Sequence, residues 1–133
     1  MDNYIKVAGV TFANENGESR QEILKNFGFG YRYAILKQTT FDGERAVEVW
    51  VDSKLIGYVP KTQLNNPLSY EELMLVQIMY YEEKDIYCAE ISAIQHPDEQ
   101  DVAKIRAFCT EKGLDIPYIS DKRVYGMFIV ENK

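Results

Sequence analysis

Cys88, Cys109 and His96 are the residues from which a nucleophile or a metal site would be built, and their placement argues against both. Zinc sites draw on clusters of Cys and His, and one histidine with two widely spaced cysteines is no such cluster. His96 stands before Pro97 at the start of a predicted helix, an ordinary solvated capping position. No motif surrounds either cysteine, so a Cys–His nucleophile pair has no support. Glu71-Glu72 and Glu82-Glu83 are adjacent in sequence and read as solvated surface. "GFGYRY" at 28–33 opens like a dinucleotide fingerprint, yet it lacks the third glycine and leads into a strand, so it reads as a helix stop. No acid, base, nucleophile, metal or cofactor set converges. The chain is expected to be non-catalytic and to use no cofactor.

A different stretch asks for a chemical explanation. "TTFDGERAVEVWVDSKLIGYVP" at 39–60 holds two short strands around an Asp52-Ser53 turn. Val47, Val49 and Val51 share one face, and Ala46, Glu48 and Trp50 share the other. Pro60 stops the second of these strands. Alternation and a turn account for the hairpin. They do not account for the Phe41-Asp42 pair that introduces it or the Gly57-Tyr58-Val59-Pro60 that closes it.

The elements around this stretch set its position. Residues 4–12 alternate β-formers and predict a first strand, followed by a turn at 14–17. Ser19 and Glu22 make a capping box for a short helix with Ile23, Leu24 and Phe27 on one face, ended by Gly28 in the left-handed conformation. Residues 31–38 predict a second strand. Residues 73–94 predict a long hairpin turning at 82–85, with Ser69 and Glu72 as an alternative cap for a short helix there. Residues 97–113 form a second helix, with Pro97 at its start, acids in its first turn and Gly113 after its end; Val102, Ile105 and Phe108 are to pack it as an appendage. Residues 123–132 predict a closing strand. Six short strands and two helices suggest a small OB-like or SH3-like barrel, because closure removes exposed strand edges.

At 133 residues, 46% hydrophobic and 27% charged, the chain fits one globular domain able to bury a core. The net charge of −6 argues against a general nucleic-acid coat protein. Its distribution matters more. Residues 1–68 carry eight basic and eight acidic residues, whereas 69–133 carry seven and thirteen. An anionic ligand should prefer the neutral first half. Two unpatterned cysteines read as free thiols in a reducing compartment, and no signal peptide or membrane-length apolar run is present. A soluble, cytoplasmic protein with no membrane partner is expected.

Four stretches now resemble a known family in order and spacing: "VAGVTF" at 7–12, "SRQEIL" at 19–24, "FDGERAVEVWVD" at 41–52 and "IGYVP" at 56–60. Together they are similar to the HIRAN domain, a family of small free-standing bacterial proteins and of the N-terminal module of helicase-like transcription factor. The resemblance covers residues 5–65, and 66–133 follow only in outline, as later strands interrupted by the 97–113 helix. It implies a modified OB-like barrel that binds single-stranded nucleic acid, captures a DNA 3′-hydroxyl end and serves DNA repair or replication. By the same resemblance Phe41-Asp42 is the family's aromatic–Asp pair, Tyr58 follows the hairpin glycine, and Phe12 is the first-strand aromatic. Aromatic faces stack terminal bases, and a carboxylate accepts a hydrogen bond from a terminal hydroxyl while repelling a terminal phosphate.

The chain departs from the family at two places. The usual "NPYDPNA" loop reads "TTFDGERA", which puts Arg45 where an asparagine stands, and Thr11 replaces an arginine before the first-strand aromatic. Arg20, Arg45 and Lys61 are then the cations left to meet phosphate. Every one of these residues has a plainer role open to it. Phe12 and Phe41 fit a core, Tyr58 fits a ring laid across glycine backbone, Asp42 fits a turn, and Arg20 fits a pair with a nearby glutamate. The alternative function is a protein-interaction module that uses the same barrel face or the acidic second half.

Overall fold

Residues 4–94 and 99–113 are described in a computed structural model of the chain, and their alternating segments pair into one antiparallel sheet. The elements are β1 (Tyr4–Lys6), α1 (Arg20–Phe27), β2 (Gly30–Phe41), β3 (Glu44–Val51), β4 (Lys54–Tyr58), β5 (Leu73–Tyr81), β6 (Ile86–Ser92) and α2 (Glu99–Lys112). Two single-turn 3-10 helices, Lys61–Gln63 and Pro67–Tyr70, join β4 to β5. The fold is mostly β with two helices among the described residues, as the sequence predicts. The expected closing strand at 123–132, together with His96 and Pro97, lies outside the described residues.

Period-two alternation divides the apolar residues between two cores. Val47, Val49 and Val51 face one side with Met74, Val76, Ile78, Ala89 and Ile91, and Ile23 and Leu24 of α1 cover them. Leu73 and Leu75 point to the other side, where Ile105, Phe108 and Cys109 of α2 pack with Tyr33 and Ile94. Within β5, then, the odd positions that join a core serve α2 and the even ones serve α1. Ile105 and Phe108 pack as expected, while Val102 is half-buried and Cys109 is the second fully buried side chain of the helix.

The expected barrel is not closed. Strand order is β1-β6-β5-β2-β3-β4, so β1 and β4 are the edges of an open sheet. The reason lies in the first strand, predicted over 4–12 but only three residues long. Gly9 adopts φ 76°, and the Phe12 amide donates to the Gly9 carbonyl at 3.2 Å, so the chain turns away before it can pair along β4. One contact still joins the two edges: Ala8 and Tyr58 exchange both backbone hydrogen bonds, at 2.8 and 2.9 Å. Gly57 permits that approach. A β-carbon there would stand 2.3 Å from the Ala8 carbonyl oxygen and 2.6 Å from Val7 Cγ1.

Other boundaries moved for equally local reasons. β2 runs to Phe41, past the expected end at 38, and Asp42-Gly43 turns it into β3 with φ 52° and 79°. That is the two-residue positive-φ turn preferred by hairpins, and Asp-Gly is among its strongest signals. Asp52-Ser53 also turns with both φ positive. Gly28 ends α1 at φ 78° but ψ −178°, a positive-φ stop outside the left-handed helical well. Ser69 does not cap a helix; Asn66 caps the second 3-10 turn through the Leu68 amide, and Ser69 is buried inside it.

Candidate functional site

The Ala8–Tyr58 contact brings two distant segments to one place, and the exposed aromatics gather there. Phe12 rides on the Gly9–Phe12 turn with 68% of its surface exposed, and Phe41 at the end of β2 is 72% exposed. Neither is a core residue. With half-buried Tyr58 they line a groove of about 500 Å³, walled by Ala46, Val59, Pro60 and Leu64. Arg20, Arg45 and Lys61 line the same groove. Six of the seven residues singled out from sequence therefore converge, from α1, β2, β3, β4, the first 3-10 helix and the Gly9–Phe12 turn.

Asp42 is the seventh, and it does not line the groove. It sits exposed at the tip of the β2–β3 turn, where its positive φ gives it the plainer of its two roles. The carboxylate in the groove wall is Glu44, two residues on, whose side chain lies 3.6 Å from the Lys61 amine. Nothing in the spacing singled out Glu44, because only the missed Asp-Gly turn folds it back beside Phe41.

The three cations differ in what they are free to do. Arg45 is engaged at all three nitrogens, by Gln38 Oε1, the Leu64 carbonyl, and the carbonyl and hydroxyl of Ser69. Its guanidinium also lies 3.8 Å from the centre of the Tyr70 ring. Its main work is to clamp the 3-10 segment onto β3. Lys61 is exposed and paired only loosely with Glu44, so it can turn to a ligand.

Arg20 is the unusual one. It is 6% exposed, yet it is bonded to neutral acceptors: Nε donates to Asn14 Oδ1 and Nη1 to the Gly9 carbonyl, both at 2.8 Å. Its guanidinium lies 5.2 Å from the centre of the Tyr58 ring. The expected glutamate pair does not form; neighbouring Glu18 bonds Lys54 instead, at 2.9 Å. Among the described residues no carboxylate pairs with Arg20 and Nη2 has no hydrogen-bond partner. A charge taken out of water without a counter-ion is costly, and an incoming anion would relieve that cost.

Set against family models, curated proteins and solved structures, the chain matches none. The HIRAN resemblance thus rests on its four sequence stretches alone. The groove's own chemistry carries the rest: aromatic faces open to solvent, a buried guanidinium behind them and an exposed amine at the rim. All of its lining residues fall in the electrostatically neutral first half, while the excess acid lies in the second. Thr11 is exposed on the turn beside Phe12 and does not line the groove.

Proposed function

We propose that this protein is a non-catalytic module that binds single-stranded nucleic acid, with a DNA 3′-hydroxyl end as its preferred ligand. The observation that carries this reading is the convergence of Phe12, Phe41 and Tyr58 on one groove with Arg20 behind them. A large apolar ring held two-thirds exposed is poorly used in a core and well used as a stacking platform, at roughly 1–3 kcal/mol per base. Arg20 supplies a charge for one phosphate, and Lys61 supplies a second. With Asp42 outside the groove lining, Glu44 is the carboxylate of the groove, and its charge disfavours an extra phosphate on the bound strand.

The test is a titration of labelled oligonucleotides with free or phosphorylated 3′ ends at two salt concentrations. Tighter binding of the free end supports the reading, and equal or absent binding of both opposes it. Two phosphate contacts imply a shallow log–log salt slope of about −1 to −2, at roughly −0.7 per contact.

A second reading, a protein-interaction module, draws on a different surface. Phe29, Tyr87 and Tyr80 form a row of rings with centroids 6.1 and 5.1 Å apart, and Phe29 is 71% exposed. Binding of a peptide unaffected by changes at Phe12 or Phe41 would favour it.

A further inference from the structure

The wall formed by Arg20 and Tyr58 has a second side. Both residues also line an adjoining groove of about 420 Å³, and its character is opposite to the first. Glu15, Glu18 and Glu48 line it, against Arg20 and Lys54. Lys54 is already committed to Glu18 at 2.9 Å, and the Glu48 carboxylate accepts from the Trp50 indole at 3.1 Å. Glu48 is the direct cross-strand partner of Tyr58, so its carboxylate stands on the same face of the sheet as that ring. Lys37, across from Glu48 on the other side, carries its amine 4.3 Å from the centre of the Trp50 ring and makes no ion pair with Glu48. Two grooves of unlike charge therefore meet at one arginine and one tyrosine.

We propose that the acidic groove is an electrostatic stop, so that a strand bound on Phe12, Phe41 and Tyr58 must end at the Tyr58–Arg20 wall. Glu15, Glu18 and Glu48 are its specificity-determining residues. The inference rests on the proposed binding of single strands, and it adds the reason that an end rather than an internal stretch is selected. A base lying on Tyr58 places its phosphate toward Arg20. Each further nucleotide brings another phosphate, and past the wall that phosphate meets the carboxylates of Glu15, Glu18 and Glu48. An end needs no such crossing, whereas an internal stretch makes it unavoidable.

Circular single-stranded DNA has no end and distinguishes the cases. Its affinity is compared with that of a linear oligonucleotide of the same sequence, for wild type and for Glu15→Gln/Glu18→Gln/Glu48→Gln. Wild type should bind the linear form and discriminate against the circle by about tenfold or more. The triple variant should bind the circle at least about tenfold better than wild type does, with its affinity for the linear form retained. If the triple variant fails to fold, Glu15→Gln/Glu18→Gln changes only the loop before α1 and should show a smaller gain in the same direction. Equal binding of circle and line by wild type overturns the stop while leaving single-strand binding intact. Continued rejection of the circle by the folded variants also overturns it, since the barrier would lie elsewhere. Binding of neither form by wild type would instead remove the underlying reading, and the stop with it.

Discussion

Two regions of the sheet use similar side chains for opposite ends. On one, Tyr33 and Phe108 stack at 5.4 Å beside fully buried Ile105 and Cys109, closed under α2. At the β1–β4 edge, Phe12 and Phe41 stand two-thirds exposed around a groove that no helix covers. Residue type does not separate these regions; the neighbours do. α2 supplies an apolar stripe that removes rings from water, whereas the Gly9 and Asp42-Gly43 turns lift rings away from the sheet. The buried charge makes the same point. Arg45 is half-buried with all three nitrogens bonded and holds structure together, while Arg20 is more deeply buried and its Nη2 has no hydrogen-bond partner among the described residues.

The largest effect should come from the core under α1, on which both regions are built. Val49 is fully buried in the central part of β3, and Val49→Asp places an unpaired charge there. A loss of more than about 4 kcal/mol is expected, and denaturant unfolding checks it. An unchanged midpoint would mean that this face is open to water. Ile105→Ala should come next, at about 2–5 kcal/mol for a large-to-small change at a fully buried site. It should leave oligonucleotide affinity unaltered in the folded fraction, because no α2 residue lines the groove.

The smaller effects run the other way. Tyr58→Ala should weaken oligonucleotide binding about tenfold while stability changes little, since Tyr58 bridges Ala8 through backbone alone. A loss of stability with affinity unchanged in the folded fraction would reverse the roles assigned to the two regions. Smallest of all, Lys104→Glu with Arg106→Glu should leave affinity nearly unchanged in anisotropy titrations. A tenfold loss there would transfer the site to α2.

Much of this division was legible in sequence. The inward valines of β3, the 73–94 hairpin and the Ile105–Phe108 stripe follow from periodicity, which is local and strongly enforced by burial. Six of the seven candidate residues meet at the groove for a related reason: turn residues and aromatics flank the hairpin in the same short stretches. What escaped was set by long-range geometry or by an overlooked turn. The open sheet follows from how far β1 can run before Gly9 bends it, which alternation over 4–12 conceals. Asp42 was expected in the site through the resemblance alone, whereas the Asp42-Gly43 hairpin signal ties it to the turn and brings Glu44 beside Phe41. Arg45 looked free, since its four acceptors come from residues 38, 64 and 69. Buried cysteines complete the list: burial pushes both thiols up from their ordinary range, with Lys6 partly opposing this at Cys88.

The groove's stacking role is tested most directly by removing its two most exposed rings together. Fluorescence anisotropy of a labelled single strand with a free 3′-hydroxyl would be recorded for wild type and for Phe12→Ala/Phe41→Ala, alongside thermal unfolding of each. Affinity should fall by at least about tenfold, on the scale of roughly 1–3 kcal/mol per stacked base, with the unfolding midpoint little changed because both rings lie largely in water. Undiminished affinity in the folded double variant would contradict the assignment of this groove as the binding site.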